Sequence, residues 1–213
     1  MNILVLSSSL HPNSRSRAMA QRGFLHLMAQ RPHGCHATWL DARDLELPHC
    51  DGHEAWAHEG SARLRAALDA ADGILLAYGV YNYAASASAK SLLEHGGRSW
   101  SAKPVGIAAS SGGEGSRMAA MNLVHPLMLD FRCPIVPRLV YASQVAFDGT
   151  RITDDDVARR IDELAEEVAR FTRALMPSRV AKGVAELPTV TPPAGGLTPP
   201  AGGEALRHVP PSA

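Results

Sequence analysis

Short apolar runs that alternate with longer segments of helical periodicity constrain this chain more than any other feature of its sequence. The apolar runs are too short for ordinary helices and lie at residues 2–6, 35–40, 73–77, 104–109 and 135–142. The helical segments lie at about residues 16–30, 59–71, 86–95, 115–131 and 153–175. Buried parallel strands joined by crossover helices produce this alternation. The sequence therefore predicts an α/β fold, a doubly wound sheet of five parallel strands with helices on both faces.

The last of these helical segments has the clearest pattern. Thr153 is the predicted N-cap, and the acidic residues 154–156 suit the positive end of the helix. Apolar residues then recur every three or four positions, at Val157, Ile161, Leu164, Val168, Phe171 and Leu175. We expect this face to pack against the sheet, and a contact between subunits is the alternative.

After residue 176 the composition changes to Pro, Gly, Ala and Thr. The sequence Thr-Pro-Pro-Ala-Gly-Gly occurs twice, at residues 191–196 and 198–203. Such a segment has too few apolar residues to form a core. We therefore predict one domain over residues 1–176 and a flexible or polyproline-like tail over residues 177–213, with a strap across a neighbouring subunit as the alternative.

Composition excludes several classes of protein. The 21 Lys and Arg residues equal the 21 Asp and Glu residues, so no net charge favours nucleic acid or an anionic membrane. The first apolar run is too short for a signal peptide, and no stretch reaches the length of a membrane span, so we expect a cytoplasmic protein. Cys35, Cys50 and Cys133 form no C-x-x-C pair, which argues against a disulfide framework and a zinc ribbon.

Two other chemistries have little support. The chain contains neither G-x-S-x-G nor S-x-x-K, the patterns of two kinds of serine hydrolase. His49, His53 and His58 lie near Asp51 and Glu54, but their spacing matches no standard zinc pattern. A solvated loop that borders a pocket is the favoured interpretation of this segment, and no metal site is predicted.

The loop after the first strand is rich in hydroxyl groups and leads directly into a helix. Ser9, Ser14 and Ser16, together with backbone N–H groups and the positive helix end, favour binding of a phosphate. The loop lacks the glycines that a pyrophosphate requires, so a terminal phosphate fits better. Arg15 and Arg17 are candidates for neutralising its charge, although Arg17 could equally belong to a solvated helix face. An ordinary polar turn with Ser14 or Ser16 as N-cap is the alternative.

The loop after the third strand, residues 78–85, contains three tyrosines. Tyr78, Tyr81 and Tyr83 offer flat surfaces with polar tips, which suit the flanks of a planar heterocycle. The alternative is a loop that only covers the edge of the sheet.

After the fourth strand come two serines and two glycines, at residues 110–113. The glycines allow consecutive N–H groups to face a ligand, and a ring edge rich in carbonyl groups would be a suitable partner. All three loops leave the carboxyl ends of strands, where doubly wound sheets bind their ligands.

These residues resemble the NADPH-dependent FMN reductases of the flavodoxin-like superfamily, over about residues 2–175. The family's first motif falls on Ser9, Ser14 and Ser16, and its second on residues 80–82 with Lys90 in the following helix. The third motif resembles residues 110–115. The resemblance implies a flavodoxin-like strand order, 2-1-3-4-5.

The resemblance also implies where FMN binds. Gly79 stands where the family usually has proline, Ser8 replaces a common glycine, and His11 occupies a position that often carries arginine. The predicted cofactor site contains Ser9, His11, Ser14, Arg15, Ser16, Val80, Tyr81, Asn82, Tyr83, Ser110, Ser111, Gly112 and Gly113. No catalytic acid or base is predicted, because a flavin supplies the redox chemistry itself.

The implied activity is transfer of a hydride from NADPH or NADH to FMN. Reductases that serve two-component monooxygenases look most similar, so such a monooxygenase is a candidate partner, and a homodimer or homotetramer is expected. Quinone, azo-compound and metal-oxyanion reductases share the three loops, and a flavin electron carrier or redox sensor is a further alternative. The net charge of zero argues against a carrier, because flavodoxins of that kind tend to be acidic.

Overall fold

A parallel sheet of five strands forms the centre of the protein in the computed structural model, which describes residues 1–115 and 117–176. The strands are β1 (Asn2–Ser7), β2 (His36–Asp41), β3 (Gly73–Tyr81), β5 (Val105–Ser111) and β6 (Val140–Ser143), and a short β4 (Ala84–Ala85) pairs antiparallel with the end of β3. The order β2-β1-β3-β5-β6 confirms the predicted flavodoxin-like topology. A small hairpin follows, formed by β7 (Phe147–Asp148) and β8 (Arg151–Ile152).

Five helices cover the two faces of this sheet. They are α1 (Arg15–Gln30), α2 (Glu59–Asp69), α3 (Ala87–Gly96), α4 (Met121–Leu129) and α5 (Asp155–Leu175). Successive side chains of a strand point to opposite faces, so Ile3 and Val5 pack on the α1–α5 side and Leu4 and Leu6 on the α2–α4 side. None of the described helices is long and apolar enough to cross a membrane.

Helix α5 packs against the sheet, as the sequence predicted. Ile161, Leu164 and Val168 are fully buried in the cluster that includes β1 and β3. The contact with β5 is so close that a Cβ added to Gly106 would lie 2.3 Å from the Val168 side chain. The helix begins one residue later than predicted, because Asp154 and not Thr153 is its N-cap. The Thr153 N–H instead donates to the Ala146 carbonyl.

Three elements differ from the sequence prediction by four residues or more. Strand β3 continues to Tyr81, since its last residues pair with β4. The fourth helix begins only at Met121, after a turn of 3-10 helix at Arg117–Ala120. The fifth strand loses residues 136–139, because Pro137 interrupts it, and Ile135 forms only an isolated bridge with Val105. The predicted tail, residues 177–213, lies outside the described residues.

Candidate active site

A cleft of about 770 Å³ opens at the carboxyl ends of β1, β3 and β5. Its volume is within the range of about 300 to 1,000 Å³ that small-molecule sites usually have. The residues that line it are Ser9, His11, Asn13, Ser14, Arg15, Ser16, Gly79, Val80, Tyr81, Asn82, Ser110, Ser111, Gly112, Gly149 and Thr150. The structure therefore brings residues from all three predicted loops into one site. None of the described residues that line this cleft carries a carboxylate.

The start of α1 forms one end of the cleft. Ser14 is the N-cap, and its hydroxyl accepts from the Arg17 N–H over 3.1 Å. The Ser14 and Ser16 hydroxyl oxygens lie 3.0 Å apart, and both residues are almost completely buried by the protein. The first turn contains no acidic residue, so nothing within the helix neutralises its positive end. Ser14 is thus both an N-cap and part of the cleft wall.

The loop that precedes α1 is held by its own side chains. The Ser9 hydroxyl accepts from the His11 N–H over 3.3 Å, and His11 Nδ1 accepts from the Asn13 N–H over 3.0 Å. Because Nδ1 is an acceptor, the neutral His11 ring carries its proton on Nε2 and can donate it to a ligand. This loop therefore adds a hydroxyl and an imidazole to the cleft.

The two arginines of α1 have different roles. Arg15 lines the cleft, whereas Arg17 Nε lies 2.7 Å from a carboxylate oxygen of Asp41. Asp41 is completely buried at the end of β2 and also pairs with Arg43. Burial raises the pKa of the Asp41 carboxyl, and the charge of Arg17 partly offsets this increase. Arg17 therefore compensates a buried carboxylate, and Arg15 remains available for an anionic ligand.

The end of β3 and the turn after it form a second wall. Asn82 and Tyr83 are the two turn residues between β3 and β4, and both have positive φ, 50° and 60°, as a type I′ hairpin requires. The Tyr81 side chain lines the cleft and is 59% exposed. Tyr83 is 74% exposed and does not line the cleft, and its ring lies beside Gly115. The interpretation of Tyr78 as a loop residue was wrong, because it is fully buried in β3.

The end of β5 forms the third wall, with Ser110, Ser111 and Gly112. A Cβ added to Gly112 or Gly113 would meet no protein atom within 4 Å, so a ligand can approach this backbone closely. Gly113 is not among the lining residues. Its carbonyl oxygen instead accepts from the Tyr141 hydroxyl over 2.6 Å.

Two lining residues lie outside the three loops that the sequence predicts for the site. Gly149 and Thr150 form the turn of the β7–β8 hairpin, and Gly149 has a φ of 62°. The dipeptide Asp148-Gly149 is a typical hairpin signal and could have indicated the turn, although not its position beside the cleft. Lys90 belongs to the family's second motif, yet it is not among the residues that line the cleft. It pairs with Glu94 over 2.6 Å and lines a separate cavity.

The histidine-rich segment between β2 and α2 has structural contacts. Asp51 accepts from the N–H groups of His53 and Ala55, and these hydrogen bonds lower the pKa of its carboxyl. His58 Nδ1 caps α2 by accepting from the Gly60 N–H. Within residues 1–115 and 117–176, no group of three His, Cys, Asp or Glu side chains is arranged to hold a metal ion.

Comparison with known proteins identifies the family. The sequence profile of the NADPH-dependent FMN reductases matches residues 1–148. The chain belongs to this family. An NADPH azoreductase from Bacillus sp. (strain OY1-2) is 28% identical over 133 residues, which is 62% of this chain and 72% of the azoreductase. The NADPH-dependent FMN reductases are oxidoreductases, and this chain uses FMN and NAD(P)H as its cofactors.

Solved structures show the same fold. An oxidoreductase from Corynebacterium diphtheriae superposes with a TM-score of 0.65 at 20% identity, covering 81% of this chain and 97% of that one. A flavoenzyme NAD(P)H:(acceptor) oxidoreductase from Paracoccus denitrificans has a TM-score of 0.64 at 18% identity, with coverage of 81% and 97%. An NADH:FMN oxidoreductase has a TM-score of 0.64 at 18% identity, with coverage of 78% and 89%.

The cleft of this FMN reductase family member fits FMN in charge and shape. The open positive end of α1, the Ser14–Ser16 hydroxyl pair and Arg15 suit a dianionic phosphate. The open space at Gly112 lets a planar ring approach the end of β5. We conclude that the protein is a flavin-dependent oxidoreductase of this family.

Proposed function

We propose that the protein is an NAD(P)H-dependent FMN reductase, which transfers a hydride from the nicotinamide to FMN. The observation that supports this most directly is the first turn of α1, which has no acidic residue and opens with two hydroxyls into a cleft whose described lining residues carry no carboxylate. Such a site attracts the negative charge of a phosphate, and no carboxylate among the described lining residues repels it.

The chain's own residues would bind and orient the reactants. Ser14, Ser16 and Arg15 would hold the phosphate, and His11 would add a donor at Nε2. When bound, FMN supplies the redox chemistry. The exposed ring of Tyr81 on one side and the backbone at the end of β5 on the other would align the flavin and exclude water from it. Neither role requires a side chain that exchanges a proton.

The test is NADPH oxidation by the purified, flavin-stripped protein, followed by near-ultraviolet absorbance with and without added FMN and repeated with NADH. We expect oxidation that depends on FMN and saturates as its concentration rises. If the protein binds FMN but oxidises neither nucleotide, the proposal is wrong, and an electron carrier or redox sensor becomes the better interpretation.

The similarity to an azoreductase supports a second candidate, in which FMN stays bound and passes electrons directly to an azo compound or a related acceptor. A dialysis experiment without oxygen separates the two. An azo dye coupled to dextran is placed across a membrane that FMN can pass. Bleaching across the membrane indicates that reduced FMN is released. Bleaching only when enzyme and dye share a compartment indicates direct reduction.

We also propose a homodimer or homotetramer, and a flavin-dependent monooxygenase as a recipient of reduced FMN. Exposed apolar side chains on and beside α4 support self-association; they are Met118, Met121, Met128 and Leu129. Light scattering after size-exclusion chromatography measures the oligomeric state. A monomer at micromolar concentration would contradict this part of the proposal.

A further inference from the structure

The loop at the end of β5 is tied to the neighbouring strand by one tyrosine. Tyr141 lies in β6, where its register partner in β5 is Ala109. Its hydroxyl donates to the Gly113 carbonyl oxygen over 2.6 Å and accepts from the Ser111 hydroxyl over 2.5 Å. Gly113 lies two residues beyond the end of β5. Tyr141 therefore holds the loop at the point where the strand pairing has ended.

The hydroxyl groups of Tyr141 and Ser111 both contact the Gly113 carbonyl group. The Ser111 hydroxyl also contacts the Gly113 carbonyl oxygen, so the three groups form a closed triangle. Because the peptide unit is planar, fixing this carbonyl also fixes the direction of the next N–H, which belongs to Glu114. The triangle thus restrains the loop by fixing the peptide plane between Gly113 and Glu114.

Gly112 and Gly113 themselves restrict that path little. Glycine has the largest backbone freedom of any residue, and within residues 1–115 and 117–176 a Cβ at either position would meet no protein atom within 4 Å. Ser110, Ser111 and Gly112 line the cleft, whereas Tyr141 does not. A contact outside the cleft therefore sets the conformation of a wall inside it.

We propose that Tyr141 is a positioning residue for FMN, whose hydroxyl holds the loop at residues 111–113 in its binding conformation before the flavin arrives. A loop that is already ordered loses less conformational entropy when a ligand binds. The inference depends on FMN as the ligand of the cleft and is independent of the final electron acceptor.

The test is Y141F, which keeps the ring and removes the hydroxyl. Flavin fluorescence titration of the FMN-free protein should show a Kd for FMN about fivefold higher than that of the wild type. Hydrogen exchange of the amides at residues 111–114, measured without FMN, should become faster. At saturating FMN the kcat should stay the same, because the hydroxyl does not touch the reactants.

Tyr78 provides a matched control. It lies in β3 of the same sheet, and its buried hydroxyl has no hydrogen-bond partner among residues 1–115 and 117–176. In Y78F we expect the Kd for FMN and the exchange at residues 111–114 to match the wild type. The melting temperature of each variant shows whether it has folded.

Two results would overturn the inference. The first is a Kd for FMN in Y141F that equals the wild-type value. The second is weaker binding without faster exchange at residues 111–114, because the hydroxyl would then act by another route. Neither measurement requires NADPH turnover, so a protein that binds FMN but oxidises no nucleotide would contradict the proposed function and leave this inference standing.

Discussion

Helices α1 and α5 pack side by side on one face of the sheet, joined by an Arg22–Asp162 ion pair of 2.6 Å, but their first turns are opposite in charge. Helix α5 is capped by Asp154 and continues with two more aspartates. Helix α1 is capped by the neutral Ser14 and continues with Arg15. The positive end of α5 is thus neutralised by the chain itself, whereas that of α1 is left for a ligand. The same helix property stabilises the fold in one place and forms a binding site in the other.

Arg15→Glu would make the start of α1 resemble that of α5 and should have the largest effect. The new carboxylate would repel the FMN phosphate, so we expect the Kd for FMN to rise about ten- to hundredfold. The helix itself should gain stability, by about 0.3 to 1 kcal/mol. Flavin fluorescence titration and urea unfolding measure the two quantities. Arg15→Gln is the matched control, which should weaken binding less and give a smaller gain in stability.

Removing each N-cap separates stability from binding. Asp154→Ala should lower the free energy of unfolding by about 1 to 2 kcal/mol, because the Asp154 carboxylate accepts from the N–H groups of both Asp156 and Val157. Its Kd for FMN should not change. Ser14→Ala should lower stability by about 0.5 to 1 kcal/mol and also weaken FMN binding. If both variants bind FMN equally well, the start of α1 does not hold the phosphate.

The buried carboxylate of Asp41, beside α1, should make the stability of the protein depend on pH. Burial raises the pKa of Asp41, so the folded protein holds this proton more tightly than the unfolded chain. Its contribution to stability is therefore greatest below the unfolded pKa of about 3.9 and decreases as pH rises through the folded pKa. Urea unfolding across this range should show that decrease in the wild type. In Asp41→Asn the decrease should be smaller, and an identical pH profile would contradict the assignment.

Asp155→Asn should give the smallest effect. Asp155 is exposed in the first turn of α5, so its charge should contribute only a few tenths of a kcal/mol, or about 0.3 at low salt. The loss should disappear in concentrated salt, because surface charges are then screened. Urea unfolding at two ionic strengths tests this, and an effect that persists in salt would require another cause.

The positions of the strands followed from the sequence because buried parallel strands have a strong local pattern, whereas their order was implied by the resemblance to the family. The ends of the helices and strands were predicted less accurately, since contacts between residues distant in sequence decide where each element ends. Tyr78 looked like a loop residue because Gly79 and Tyr81 follow it closely, yet pairing with β5 keeps it in the sheet. Thr153 and Asp154 are both good N-caps, and only the structure shows that the Asp154 carboxylate is the one that accepts from the first N–H groups of the helix.

The site was predictable where its residues lie between the carboxyl end of a strand and the start of the next helix. Ser14 is the N-cap of α1, and Arg15 and Ser16 begin this helix. Doubly wound sheets bind ligands at this position, so the sequence placed these residues at the cleft. Thr150 and Tyr141 carry no such signal. Thr150 reaches the cleft because it lies in the turn of the β7–β8 hairpin, which borders the cleft. Tyr141 lies in β6 and contacts the loop that follows β5. Their positions depend on tertiary pairing, which a single sequence does not show.

The interruption before β6 affects whether two copies of this protein can pair through the edges of their sheets. Strand β6 lies at the edge of the sheet, where unpaired backbone groups can recruit a strand from a neighbour and begin aggregation. Pro137 has no N–H to offer such a neighbour, and the strand that follows spans just the four residues Val140–Ser143. An incoming strand would find few hydrogen-bond donors in succession. The irregular edge therefore disfavours aggregation by strand pairing at high protein concentration.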